Sequence, residues 1–259
     1  MRIFETLRCE SLRPGVMHLV LNRPARHNAL DAMMIRELME AAGLIGADPS
    51  IRAVVLAADG KSFCAGGDLG WMREQFDAAP EERDRQARAL FAMLTALDQL
   101  PQLLIGAVQG PAYGGGVGLA SVCDVVIAKS DARFALTETG LGLIPATIAP
   151  FLFRRIGQAG LRRIGLHGVR VDAAEARALG LVSELADDLE AAVERHLTHL
   201  LACAPGAVAE AKALFRALSS GTAGEAQVVA ALSKRWQSRE AQEGIAAFFA
   251  KEAPPWQTG

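Results

Sequence analysis

Hydrophobic positions along this chain come first in short runs, then at helical spacing. Residues 3–8 and Val16–Leu21 flank the turn residues Arg13, Pro14 and Gly15 and predict a strand pair. Asn22, Arg23 and Pro24 end the second strand. Asp31 then stands where a helix N-cap would, with Met34, Leu38 and Met39 apolar and Gly43 and Gly46 as a stop, so a helix is predicted to about Leu44. The apolar run 53–57 predicts a buried strand. Residues 69–86 are charged, contain Pro80 and read as a mobile loop. A helix over 83–100 puts Leu90, Met93, Leu94 and Leu97 on one stripe and ends at Pro101. Two further apolar runs, 103–108 and 125–128, predict strands, with a glycine triplet and a small-residue helix at 117–122 between them. Strand, helix, strand, helix, strand predicts an α/β core with right-handed parallel crossovers. Beyond Pro150 the pattern is helical: 149–156 and 159–166 separated by Gly157, then a tail over 187–251 broken at Pro205-Gly206 and Gly221.

Composition narrows the class. The 259 residues are 51% hydrophobic, enough for a large core. Twenty-seven Lys and Arg against 29 Asp and Glu leave a net charge of −2, which favours neither nucleic-acid binding nor attachment to an anionic membrane. Cys9, Cys64, Cys123 and Cys203 are widely spaced and form no C-x-x-C pair, the pattern of a reduced, cytoplasmic protein. No apolar run approaches the ~18 residues of a membrane span, and the N-terminal residues resemble a strand rather than a signal peptide. His196 and His199 are three apart with no third ligand in view, so no metal site is expected. There is no P-loop and no dinucleotide fingerprint.

The candidate chemistry lies in two glycine loops and one carboxylate. Gly114, Gly115 and Gly116 follow a strand and open a helix. Glycine lets backbone approach a ligand closely, and the first N–H groups of a helix lack internal partners. Such N–H groups can stabilise a carbonyl oxygen that gains negative charge; the alternative is a tight turn that serves packing alone. A second loop, Phe63-Cys64-Ala65-Gly66-Gly67-Asp68-Leu69, follows the strand at 53–57, and two loops of this kind can bring two N–H groups onto one oxygen. Glu138 sits among small and apolar neighbours. If buried, it has a raised pKa, which suits a group that holds and releases a proton; otherwise it is a solvated surface residue. Cys64 has no base nearby in sequence and reads as a small packing residue. Asp124 reads as a buried hydrogen-bonded partner.

Five segments together resemble the crotonase (enoyl-CoA hydratase/isomerase) superfamily. They are L-N-R-P-A-R-H-N-A-L at 21–30, F-C-A-G-G-D-L at 63–69, V-Q-G-P-A-Y-G-G-G-V-G-L-A-S-V-C-D at 108–124, F-A-L-T-E-T-G-L-G-L-I-P at 134–145 and A-E-A-R-A-L-G-L-V at 174–182. The resemblance implies a crotonase-like spiral core of parallel β-strands and helices over residues 1–187, and a C-terminal helical region, 188–259, used in trimerisation. It implies an acyl-CoA thioester substrate, coenzyme A being part of the substrate and no separate cofactor being needed. Gly67 and Gly115 match the oxyanion-hole positions, and Glu138 matches a catalytic glutamate. Ala65, Asp68, Gly118, Arg26 and Lys251 fall at substrate-binding positions, Arg26 and Lys251 toward the phosphates of coenzyme A. Trp71, Met72 and Phe76 face the acyl chain or pack a helix. A homotrimer or a dimer of trimers is implied.

The chain departs from the family at one place. Many members have a first glutamate twenty residues before the second; here that position is Gly118 (138 − 118 = 20). One carboxylate must then act as base and acid, which suits a hydratase or a double-bond isomerase, and Gly118→Glu is expected to raise hydration of a simple enoyl-CoA. Gly118, with Ala146-Thr147-Ile148-Ala149-Pro150 after Pro145, resembles the bacterial 3-methylglutaconyl-CoA and carboxygeranoyl-CoA hydratase branch. A protein that binds acyl-CoA or RNA on this fold without catalysis is the alternative of another class.

Overall fold

The structure, a computed structural model, describes residues 3–257. The chain forms two compact units. One comprises residues up to Leu100 with Leu104–Val193; the other comprises Pro101–Leu103 with residues from Glu194 onward.

In the first unit, β1 (Leu7–Arg13) and β2 (Val16–Leu21) form an antiparallel hairpin. Its turn puts Gly15 at φ 77°, a left-handed conformation that glycine adopts without strain. The first strand therefore runs up to the turn instead of ending at Arg8, because the turn sets which residues can pair. The preceding residues are held by a side chain: Glu37 accepts from Glu5 N–H (2.8 Å), Thr6 N–H (2.8 Å) and the Thr6 hydroxyl (2.5 Å).

Glu37 belongs to α1 (Ala32–Ala47), which Asp31 caps by accepting from Met34 N–H at 2.8 Å. The helix continues through Gly43 and Gly46. A glycine inside a helix costs about 1 kcal/mol relative to alanine, less than the burial of Ala41, Ala42 and Ile45 around it returns. Met34 and Leu38 are fully buried, as their spacing predicts, whereas Met39 is 40% exposed.

β3 (Ala53–Ala58) pairs parallel with β2. The charged stretch after it is not a loop. It folds as α2 (Leu69–Asp77) and the start of α3 (Pro80–Asp98). Asp68 caps α2, Pro80 takes the first turn of α3, where its missing N–H costs nothing, and Glu81 and Glu82 favour the positive end of that helix. The charges are solvent faces of helices, while Met93, Leu94 and Leu97 are fully buried.

The site is built by the elements that follow: β4 (Leu103–Val108), β5 (Ala112–Tyr113), α4 (Gly115–Val122), β6 (Val125–Ala128) and β7 (Arg133–Ala135). Then come α5 (Ala149–Gly165), broken at Gly157 (φ 67°, ψ 178°) where two helices were expected, β8 (Val171–Asp172), α6 (Ala173–Ala178) and β9 (Glu184–Leu185). The main sheet has the order β1-β2-β3-β4-β6-β9, with β2/β3, β4/β6 and β6/β9 parallel. A smaller sheet, β5-β7-β8, pairs β5 parallel and β8 antiparallel with β7. Its two- and three-residue strands are too short to leave a periodic signature. Asp124 accepts from Leu104 N–H at 2.7 Å, the structural role expected of it, although it is only partly buried. Arg155 of α5 donates to Leu181 O at 2.8 Å and to Cys123 O, which ties α5 to the end of α4.

The chain passes into the second unit within α7 (Leu189–Leu201), six residues beyond the expected boundary at 187 (193 − 187 = 6). α8 (Pro205–Ser219), α9 (Glu225–Trp236) and α10 (Arg239–Ala250) follow. Glu240 accepts from Gly206 and Ala207 N–H at the start of α8 and pairs with Arg235 at 2.6 Å. The expected break at Pro205-Gly206 is thus a helix start, capped from another helix. Leu232, Trp236, Phe248 and Phe249 are each more than half exposed. No described helix is long and apolar enough to cross a membrane.

Candidate active site

The two residues of β5 organise the site. On one side Ala112 bridges Cys64, Tyr113 N–H donates to Cys64 O at 2.9 Å, and Phe63 and Cys64 N–H both donate to Pro111 O. On the other side Ala112 and Tyr113 pair with Phe134 and Ala135, and Gly114 N–H donates to Ala135 O at 2.9 Å. Backbone hydrogen bonds alone therefore gather the first glycine loop, the glycine triplet and the segment that reaches Glu138 three residues later.

Glycine is required at this junction. Gly66 and Gly114 have φ of 93° and 45°. A Cβ on Gly116 would lie 2.3 Å from Cys64 O, and one on Gly66 would lie 3.1 Å from Tyr113 O. Only bare backbone fits so close.

The loops present two N–H groups outward. Leu30 bridges Gly67 in parallel fashion: Leu30 N–H donates to Gly66 O (2.7 Å) and Asp68 N–H to Leu30 O (2.8 Å). In that geometry the N–H of Gly67 points away from Leu30. Gly115 is the first residue of α4, where an N–H has no acceptor within the helix, and Gly114 has no side chain to cap it. Glu138 opens the short turn Glu138–Leu141. A Cβ on Gly114 would lie 3.2 Å from Glu138 Oε1, so the carboxylate stands directly against the triplet. Oε2 of Glu138 is buried and has no partner among the described residues. Burial raises the Glu138 pKa above the ordinary carboxylate value, and hydrogen bonds from the Glu138 and Thr137 backbone pull it partway back.

Other expected residues have different roles. Cys64 is fully buried and its thiol pKa is pushed up to about 12 by that burial, so it is a packing residue and not a nucleophile. The Asp68 side chain is engaged within the protein: Oδ1 caps α2 at Gly70 N–H (2.9 Å) and Trp71 N–H (3.3 Å), and Oδ2 meets Arg23 at 3.3 Å. Arg23 also pairs with Asp31 at 2.8 Å. One guanidinium thus joins the N-caps of α1 and α2, a strut that local sequence does not reveal. Ala65 is partly exposed and its N–H donates to His27 O at 3.0 Å. This places it on one rim with exposed Arg26, whose corner continues through His27 and Asn28 at φ 51° and 53°. Lys251 lies in the second unit, exposed, at the left-handed end of α10. Trp71 and Met72 lean on Gly67, whereas Phe76 is 83% exposed.

Gly118 also leaves the set of open positions. It is buried, and a Cβ there would lie 2.6 Å from Ile148 Cγ2 and 3.6 Å from Leu94 Cδ1. Ile148 fills the space that a side chain at 118 would enter, so Gly118→Glu has to displace the Ile148 side chain to place a second carboxylate. Gly118→Ala is expected to destabilise the fold by about 1–2 kcal/mol through overpacking. Ile148→Ala in the same chain should recover most of that loss, a coupling read from a double-mutant cycle in urea. Additive effects of the two substitutions would mean that they do not compete for this space.

Two backbone donors and one half-buried carboxylate at the edge of an α/β core are groups that can stabilise an oxyanion and transfer a proton. Residues 12–259 match the enoyl-CoA hydratase/isomerase family. The chain is 34% identical over 254 residues to the 2,3-dehydroadipyl-CoA hydratase of Escherichia coli, covering 94% of this chain and 96% of that protein. An enoyl-CoA hydratase structure from Shewanella pealeana superposes with a TM-score of 0.94 at 36% identity, covering 98% and 96% of the two chains. Pseudomonas aeruginosa AtuE superposes with a TM-score of 0.93 at 41% identity, covering 98% and 100%. This chain belongs to the enoyl-CoA hydratase/isomerase family and is an enzyme of the crotonase superfamily.

Proposed function

We propose that this enzyme adds water reversibly to a branched or carboxylated 2-enoyl-CoA, with 3-methylglutaconyl-CoA the named candidate. The observation that carries the reading is the unpartnered, buried Oε2 of Glu138 beside the glycine triplet. A carboxylate oxygen held there without a protein partner is poised for a substrate or water proton.

The thioester oxygen accepts from Gly67 and Gly115 N–H. Glu138 takes a proton from water as the water oxygen bonds to the β-carbon. The π electrons move toward the thioester, and the enolate charge rests on the oxygen at the two N–H groups. Glu138 then gives its proton to the α-carbon. One carboxylate thus serves both transfers, on one face of the double bond. Arg26 and Ala65 on the rim hold the coenzyme A portion, and the chemistry needs no further cofactor. The carboxylated acyl group draws support from the Escherichia coli relative, whose name specifies a dicarboxylic acyl chain.

Double-bond isomerisation is the second reading. Ile148 over Gly118 favours it, because moving one proton between two carbons needs one carboxylate and no held water. A mass-resolved turnover assay on 2-enoyl, 3-enoyl and 3-methylglutaconyl thioesters separates the two. A gain of one water, fastest on 3-methylglutaconyl-CoA, is the expected result. A shifted double bond at constant mass would replace hydration by isomerisation.

A further inference from the structure

α2 follows the first glycine loop and turns inward two polar atoms that the chemistry above does not use. Trp71 Nε1 and Gln75 Oε1 are buried, and neither has a hydrogen-bond partner among the described residues. The residues are four apart, so their side chains share a helix face. Arg73, Glu74, Phe76 and Asp77 are exposed, whereas Trp71, Met72 and Gln75 are turned inward. The inward face adjoins an oxyanion glycine: Trp71 Cε3 lies 3.7 Å, and Met72 Sδ 3.3 Å, from where a Gly67 Cβ would be. An acyl chain begins at the thioester carbon, so groups packed against Gly67 border its first stretch.

An unpaired buried donor and an unpaired buried acceptor on one helix face are costly unless a ligand satisfies both. We propose that Trp71 Nε1–H and the Gln75 carboxamide form a receptor for an oxygen function, hydroxyl or carboxylate, on the substrate's acyl chain. The indole N–H only donates, so what it meets must accept. Gln75 offers its carbonyl to a hydroxyl, or, with the amide turned over, its NH2 to a carboxylate. A methyl group satisfies neither atom and seals both from water, which is how such sites reject hydrocarbon analogues. The inference rests on the acyl-CoA reading above and specifies what that acyl group bears.

The test uses the full chain and matched acyl chains ending in methyl, hydroxyl or carboxylate. Saturated CoA thioesters are titrated by calorimetry, and kcat/KM is measured on the corresponding 2-enoyl thioesters. The wild type should bind an oxygen-ended chain at least about tenfold more tightly than the methyl-ended one. Trp71→Phe should cut that ratio to about threefold or less. Gln75→Leu should also reduce it, and provides the same test if Trp71→Phe does not fold. The hydroxyl or carboxylate arm with the larger wild-type preference identifies the oxygen function. A ratio unchanged in both variants, or a wild type that prefers methyl, overturns the receptor. Tail-selective binding without turnover would overturn the hydratase reading and leave the receptor standing. Turnover without tail selectivity would do the reverse.

Discussion

Glu138→Gln should lower kcat about a thousandfold, within the range that a positioned acid–base group supplies, while acyl-CoA binding stays nearly unchanged. The asymmetry follows from where the two functions reside. Proton transfer needs a carboxylate, and an amide of the same shape has none to offer. In the proposed mechanism the thioester oxygen is bound by the Gly67 and Gly115 backbone, which this substitution does not alter. Turnover should also fall on the acid side with an inflection above the ordinary carboxylate value, because burial raises the Glu138 pKa and the ionised form must take the first proton.

The same shift has a consequence for stability. A carboxyl whose folded pKa is raised contributes stability below its unfolded pKa, near ~4.3, and loses it as pH rises through the folded value. At neutral pH the wild type therefore holds an ionised carboxylate where burial disfavours one. Glu138→Gln should melt at a higher temperature than wild type at pH 7.5, and the difference should close toward pH 4. Thermal unfolding at the two pH values and steady-state kinetics check both parts. Turnover near the wild-type level would remove Glu138 from the chemistry.

Gly116→Ala should destabilise the fold by about 3 kcal/mol, at the upper end for overpacking, and lower kcat about a hundredfold. Alanine is the better helix former by up to ~1 kcal/mol, so propensity predicts the opposite sign. Contact decides. The new Cβ would meet Cys64 O at 2.3 Å and Cys64 Cβ at 2.9 Å. Cys64 cannot retreat, because its N–H is bonded to Pro111 O and its carbonyl to Tyr113 N–H. Relief must come from separating the two glycine loops, and with them the two N–H groups proposed to share the thioester oxygen. Gly43→Ala is the control. It also lies in a helix, but nothing stands within 4 Å of its Cβ position, so it should stabilise by about 0.5–1 kcal/mol. Urea denaturation compares the two. If Gly116→Ala proves as stable as Gly43→Ala, the loops are not locked together as described.

Much of this site was legible before any fold was known. The two glycine loops, Glu138 and the apolar runs before them stand in an order that implies strand, turn, helix and carboxylate. Asp31 announced α1 through local cap chemistry. The charged stretch after Gly67 was misleading, because its charges and Pro80 suit a loop as well as two capped helices. The apolar face that makes it helical is short, and α2 has no fully buried residue.

By itself, then, the sequence determined what depends on neighbours in the chain. Burial period, caps and the backbone freedom of glycine all act over a few residues, and they specify the α/β alternation, α1, α4 and the candidate oxyanion loops. Only the tertiary structure decided what depends on distant residues meeting. The Asp68 side chain is a helix cap tied to Arg23, 45 positions away. Gly118 is filled by Ile148, 30 positions on (148 − 118 = 30). Trp71 and Gln75 are left with polar atoms that nothing in the described chain answers. A glycine or an aspartate reads the same in sequence whether it faces a cavity or a neighbour. Which it faces is a matter of space, and that space is enclosed only when the whole chain has folded around it.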